Sequence, residues 1–288
     1  MVNWFRKSFT LYLVLCISGG IGLLIACAHK FGSSESLINA VLFIVVFSVL
    51  FSIWALTSVT ISNLYAAKLA KNIYRILYDE CNPIGFIDAY KKICERSKKA
   101  GLISRASKTT ALLNLSTGYL MKGNYLEGKR ILDSIVVDGE KDFRHKKARA
   151  MINAFYYNNL VLCYIQMNDL HRAEAALENM RLSLENPKLP QKQYKRFSEF
   201  YIEKKLGLKM VHGNYDGTQE VFEASLGRAR EKLNKVAVNY MLGNIYLHHN
   251  DIIKAKSAFD YAIQNGNLTV YVDLAKKILS QMPGNTSD

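Results

Sequence analysis

The sequence predicts an all-α protein: an N-terminal two-helix transmembrane hairpin followed by an α-solenoid of helix pairs. Three observations predict it. Two long stretches, between Lys7 and His29 and between Glu35 and Lys68, hold no charged side chain. Beyond them a short Gly/Asn/Asp turn recurs between amphipathic segments with apolar residues at helical spacing. Proline is scarce and tyrosine abundant, 4 against 17, which argues against a disordered tail and for a packed domain.

The hairpin comes first, over 1–64. A hydrocarbon core about 30 Å thick takes roughly 20 residues of helix to cross, and spans of about 9–28 and 37–64 meet that need. The connection His29 to Ser36 is short, so the helices run antiparallel. Arg6 and Lys7 precede the first span and Lys68, Lys71 and Arg75 follow the second, while the loop sets Lys30 beside Glu35. The excess of basic residues at the termini places both termini, and everything after residue 64, in the cytoplasm. The expected setting is a bacterial plasma membrane, with Trp4 and Trp54 toward the inner interface. A stripe of Ser18, Gly22 and Ala26 in the first span, and Ser48 with Ser52 in the second, is expected to form the helix contact. Neither span holds an ionisable residue, which argues against transport. One feature competes: Leu24-Ile25-Ala26-Cys27 resembles the bacterial lipobox. The length of the stretch and the second span after it favour a retained helix.

Only Arg6, Lys7, Lys30 and Glu35 fall in 1–64, so nearly all of the formal charge of +14 belongs to 65–288. A basic domain tied to a membrane is first a candidate for anionic lipid and only second for nucleic acid. Lys91, Lys92, Arg96, Lys98 and Lys99 form the run nearest the hairpin and are the expected membrane-surface residues. No aromatic-basic module of a nucleic-acid binder accompanies them, so no nucleic acid is expected. The five cysteines show no Cys-x-x-Cys and read as reduced thiols.

The repeat turns are Gly123-Asn124-Tyr125, Asn168-Asp169-Leu170, Gly213-Asn214-Tyr215 and Asn250-Asp251-Ile252, spaced by 45, 45 and 37 residues. Gly and Asn tolerate the left-handed backbone that ends one helix and reverses the chain. In the last unit Leu242-Gly243, Tyr246, Ala255, Phe259 and Ala262 stand at a telling spacing. Small Gly243 and Ala255 permit close crossing, and Phe259 fills the space between pairs. Here the chain resembles the tetratricopeptide repeat family. Leu160, Tyr164 and Ala173, with Leu177, carry the resemblance in an earlier unit, and Leu115, Tyr119 and Leu132 in the first, where Gly128 takes the place of a small Ala. The unit around Gly213 keeps Phe222 but has Lys205 and Lys209 where Leu and Tyr would fall, and Asn267 replaces the closing proline. The resemblance covers 105–267. Residues 65–104 read as a juxtamembrane helix pair, broken at Asn82-Pro83, that serves as a degenerate opening repeat. Residues 268–288 read as a capping helix with Val272, Ala275, Ile278 and Leu279 inward, and a frayed tail from Pro283.

The resemblance implies a concave groove walled by the first helix of each repeat. It would place Leu113 and Thr117, then Phe155, Asn158 and Leu162, then Tyr240, Asn244 and His248 along that wall, a surface suited to a protein or peptide partner. In the chaperone-binding branch of the family, lysine and asparagine of the first repeat clamp a carboxylate; Leu113 and Thr117 occupy those places here. No metal pair, nucleophile motif or phosphate loop is present, so neither an enzyme nor a cofactor is expected. The expectation is a membrane-anchored interaction scaffold. The alternative is a tethered sensor whose solenoid takes a small peptide signal.

Overall fold

A computed structural model describes residues 2–31, 37–100, 105–135 and 146–282. Every element in them is helical. The chain divides into two compact units, 1–72 and 73–288.

The first unit holds α1 (Val2–Phe31) and the greater part of α2 (Leu37–Tyr78). Within α2, Ile44–Ile61 is long and apolar enough to cross a membrane; in α1 the apolar run among the described residues is shorter, Thr10–Leu23. Ile44, Val49, Ile53 and Leu56 stand exposed along α2. The hydroxyls of Ser52, Thr57, Ser58 and Thr60 each donate to the carbonyl four residues earlier in the same helix, so these polar groups need no outside partner.

At Ser18 and Gly22 the contact between α1 and α2 differs from the expected stripe, whose Ala26 side chain lies outside the described residues. Trp54 Nε1 donates to the Leu15 carbonyl at 2.5 Å. A Cβ added at Gly19 would lie 2.0 Å from that indole nitrogen, and one at Gly20 would lie 3.1 Å from the Phe51 ring. Gly22 faces open space, and the Ser18 hydroxyl is spent on Val14 O of its own helix. The close approach is therefore made by Gly19 and Gly20, because the broad indole needs a flat bed and takes it where the Cβ is missing. Trp54 packs against α1 through this bond.

The second unit begins with the last turns of α2 and continues through α3 (Pro83–Ala100), α4 (Arg105–Met121), α5 (Tyr125–Asp133), α6 (Lys146–Gln166), α7 (Leu170–Leu184), α8 (Gln191–Val211), α9 (Thr218–Arg228), α10 (Lys232–His248), α11 (Ile252–Asn265) and α12 (Val270–Gln281). Neighbours in sequence pack as pairs, α4 with α5, α6 with α7 and α10 with α11, while α4 packs on α6 and α6 on α8. The turns explain the pairing. Gly123, Asn168, Gly213 and Asn250 all have positive φ, between 56° and 82°, which stops one helix and redirects the chain. At three of them the next residue caps the new helix: Asn124 accepts from Glu127 N, Asp169 from Arg172 N and Asp251 from Lys254 N. The Gly213 turn departs from this. Asn214 accepts from Asp216 N instead, and α9 starts only after a second left-handed residue, Gly217.

Packing follows the small residues. A Cβ on Gly243 would sit 2.6 Å from the Phe259 ring, and Ala255, Phe259 and Ala262 are fully buried. Gly128 lies against Leu120 in the same way. Between α4 and α6 the seam is polar: buried Asn159 donates Nδ2 toward Leu113 O, Ser116 Oγ and Thr117 Oγ1, at 3.2, 3.1 and 2.9 Å. The start of α12 meets the opening of the unit. Asn267 Nδ2 donates to Glu80 O and Leu268 N to Cys81 O, and Val270 abuts Gly123. Glu223 on α9 accepts from Tyr246 Oη of α10 at 2.8 Å.

Candidate functional site

A groove of two connected lobes runs through the second unit. The first lobe encloses about 420 Å³ and is walled by α4, α6 and α8, with Tyr74 and Tyr78 from the last turns of α2. The second encloses about 260 Å³ between α6, α8 and α10. Leu162, Glu203, Lys204, Ala237 and Tyr271 line both, which makes them the junction. Together the lobes lie in the range of small-ligand pockets, where apolar walls carry a few placed polar groups.

The sequence-derived wall residues divide as follows. Leu113, Thr117, Phe155, Asn158 and Leu162 line the first lobe; Tyr240 and Asn244 line the second, with Leu162. Leu113 and Thr117 are buried, and Thr117 Oγ1 is already engaged by Leu113 O and Asn159. Tyr240 lies between the rings of Phe259 and Tyr271, 6.0 and 5.6 Å between centroids. Asn244 Nδ2 donates to Tyr240 O. His248 lines neither lobe. It ends α10 and stacks on Tyr215, rings 3.8 Å apart and 8° from parallel, so it reaches the groove only through that tyrosine. Asn158 Oδ1 is a buried acceptor with no partner among the described residues.

Of the basic run, Lys91 lays its ammonium 5.6 Å from the centre of the Tyr119 ring, and Lys92 is exposed. The side chains of Arg96, Lys98 and Lys99 lie outside the described residues, as do residues 101–104, the segment 136–145 and the tail from Pro283.

Several groove residues escaped the sequence. Arg196, Phe197, Phe200 and Lys204 come from α8, the unit whose lysines broke the repeat pattern, and Tyr271 comes from the helix read as a cap. Their signal was the i, i+3, i+7 spacing of Phe197, Phe200 and Lys204, one face of a helix. Arg196 donates Nη2 to Tyr74 Oη at 2.7 Å and rests its guanidinium over Phe200. Tyr74 and Tyr78 stack with centroids 3.9 Å apart. Burial pushes the Tyr271 and Tyr78 phenols well above their usual range, so both stay neutral. Lys204 moves the other way: it is half-buried at the junction, and desolvation by the groove walls lowers its ammonium pKa, with Glu203 offsetting only part.

Among the described residues no three His, Cys, Asp or Glu side chains converge as metal ligands. No protein-family model, curated protein or solved structure matches this chain. The groove offers aromatic and aliphatic walls, side-chain amides, the Lys204 ammonium, the Arg196 guanidinium and the Glu203 carboxylate.

Proposed function

We propose that this chain is an integral membrane protein whose helical second unit captures a short segment of a protein or a peptide in the two-lobed groove. In this reading α1 and α2 cross a bilayer as an antiparallel hairpin with both termini cytoplasmic, and 105–267 is a tetratricopeptide-like solenoid. The observation that carries the binding role is the groove itself, apolar on its walls, edged by Asn114, Asn158, Asn159, Asn234 and Asn244, and built from the first helix of successive pairs. Side-chain amides along an apolar channel match what an extended backbone needs, alternating donors and acceptors between pockets for side chains. The exposed apolar face of Ile44–Ile61 supports the membrane anchor. The four left-handed turns and the Gly243–Phe259 contact support the repeat reading. Lobes of about 420 and 260 Å³ favour a short segment over a folded domain, which also suits the second reading, a tethered sensor of a peptide signal. Lys91 and Lys92 are proposed to meet anionic headgroups.

Photo-crosslinking in intact membranes tests this. A photoreactive amino acid at Leu162 or Tyr240 is expected to trap one partner, while the same group at exposed Ser257 on α11 traps none. Equal trapping at Ser257 sinks the groove assignment.

A further inference from the structure

Asn158 carries an unmet acceptor in the wall of the first lobe. Its Oδ1 is buried and receives no hydrogen bond among the described residues. The neighbouring amide fixes which end of Asn158 this is. Asn159 is 2 % exposed, and its Nδ2 donates to Leu113 O, Ser116 Oγ and Thr117 Oγ1. Leu113 O can only accept, so the Asn159 amide cannot be turned round. Its Oδ1 is left to accept from Asn158 Nδ2, at 3.2 Å. Turning Asn158 round would set two oxygens against each other, so its own Oδ1 stays where no protein donor reaches it. A buried oxygen without a donor is costly, and bulk water does not reach this one. Only a group seated within the lobe can supply the missing N–H or O–H.

Three other groove amides are wired in the same sense. Asn114 Nδ2 donates to Thr110 O, Asn234 Nδ2 to a Glu231 carboxylate oxygen and Asn244 Nδ2 to Tyr240 O, at 2.9, 2.9 and 2.8 Å. A carbonyl or carboxylate oxygen only accepts, so each Nδ2 is turned to its own helix and each Oδ1 is the end left over. Asn114, Asn158 and Asn234 line the first lobe and Asn244 the second.

We propose that these amides read hydrogen-bond donors on the ligand, namely backbone N–H groups of a peptide segment, with Asn158 Oδ1 accepting the one that contributes most. This rests on the groove reading above and specifies how its ligand is recognised. A peptide offers one N–H per residue, proline apart, whatever its side chains are, and so can meet acceptors in both lobes. An acyl chain fills the apolar walls equally well but brings no donor, and it would leave Asn158 Oδ1 unmet. Recognition of this kind tolerates changes in side chain and not the loss of an N–H.

Display selection of random heptapeptides against the full-length protein in detergent supplies the probe. The tightest winner is then remade with one backbone amide at a time replaced by an ester, which removes the N–H and keeps the shape of the chain. At one position the ester is expected to weaken binding about tenfold or more, as for a buried acceptor left without its donor. On Asn158→Ala and Asn158→Leu, each checked by melting to be folded, the same ester is expected to cost little, since the acceptor is gone. An undiminished ester loss on either folded variant means that a trapped water or another group reads that N–H, which overturns the role of Asn158 and leaves the groove standing. A winner that tolerates the ester at every position overturns backbone reading, again with the groove standing. No enrichment on the wild-type protein overturns the peptide groove and this inference together.

Discussion

Asn267 Nδ2 donates to the backbone carbonyl of Glu80 at 2.9 Å, a hydrogen bond between residues 187 apart in sequence. The donor sits in the left-handed region, φ 49°, and the acceptor follows the last turn of α2. The residue at the place where the resemblance expects a closing proline thus ties the end of α11 to the start of the second unit, where Tyr74 and Tyr78 wall the first lobe. Proline could do neither thing, since its φ is fixed near −65° and it has no side-chain donor.

Two substitutions separate the contributions of Asn267. Asn267→Gly keeps the backbone and loses the side-chain bond, an expected cost of about 1 kcal/mol. Asn267→Ala adds the left-handed strain of a Cβ, about 1–2 kcal/mol more. Thermal melting of the purified protein is expected to rank wild type above Gly above Ala. If Ala melts at or above Gly, the positive φ at this position is wrong.

The Gly243–Phe259 contact gives a coupled pair. Gly243→Ala forces a Cβ into the Phe259 ring, at about 1–3 kcal/mol. Phe259→Ala leaves a cavity costing roughly 3–5 kcal/mol. The double variant is expected to lose less than the two single losses together, because truncating the ring makes room for the new methyl. Strict additivity in urea melts would show that the two residues do not touch.

The turns were legible in the sequence because the left-handed preference of Gly and Asn is local chemistry. Gly123, Asn168, Gly213 and Asn250 carry their signal whatever surrounds them. The helical character of each segment was legible for the same reason, since periodicity needs no partner. What escaped depends on distant residues. Gly19 and Gly20 face α2 because Trp54 and Phe51 lie over them, and no spacing within α1 says whether they or Gly22 do so. Lys204 and Tyr271 reach the groove because α8 and α12 are rotated by packing on other helices. The lysines at 205 and 209, exposed in the structure, hid the face one residue away.

The α1–α2 contact predicts an asymmetry between two glycines. Gly19→Leu drives a side chain into the Trp54 indole, whereas Gly22→Leu projects into open space. Detergent-solubilised Gly19→Leu is expected to melt clearly lower than wild type and Gly22→Leu close to it. Equal losses would refute the contact and restore the Ser18–Gly22–Ala26 stripe.

The orientation test needs an engineered thiol. Cys81 and Cys163 are buried, so their failure to react with an impermeant reagent would report packing as readily as sidedness. Burial pushes the Cys163 pKa up to about 11, which further suppresses its thiolate at neutral pH. Ser257→Cys on the exposed side of α11 avoids both problems. It is expected to stay unlabelled in intact cells and to label once the membrane is permeabilised; labelling without permeabilisation reverses the topology.

Lys204 predicts a gain in stability when its charge is removed. Desolvation by the groove walls outweighs the neighbouring Glu203 charge at its ammonium, so an uncharged side chain of similar length should stabilise the fold. Lys204→Met is therefore expected to raise Tm at pH 7. The pH dependence fixes the cause. The folded-state pKa lies below the ordinary lysine value, so at low pH both states hold the proton and the folded state bears the full penalty. As pH rises through the folded pKa, the folded state releases its proton first and the penalty fades. The Tm advantage of Lys204→Met should thus be constant in the acidic range, shrink as pH climbs through the depressed folded pKa toward 10.5, and disappear beyond it. A gain that persists undiminished at high pH would mean that methionine helps by packing alone, and that the ammonium was never destabilised in the empty groove.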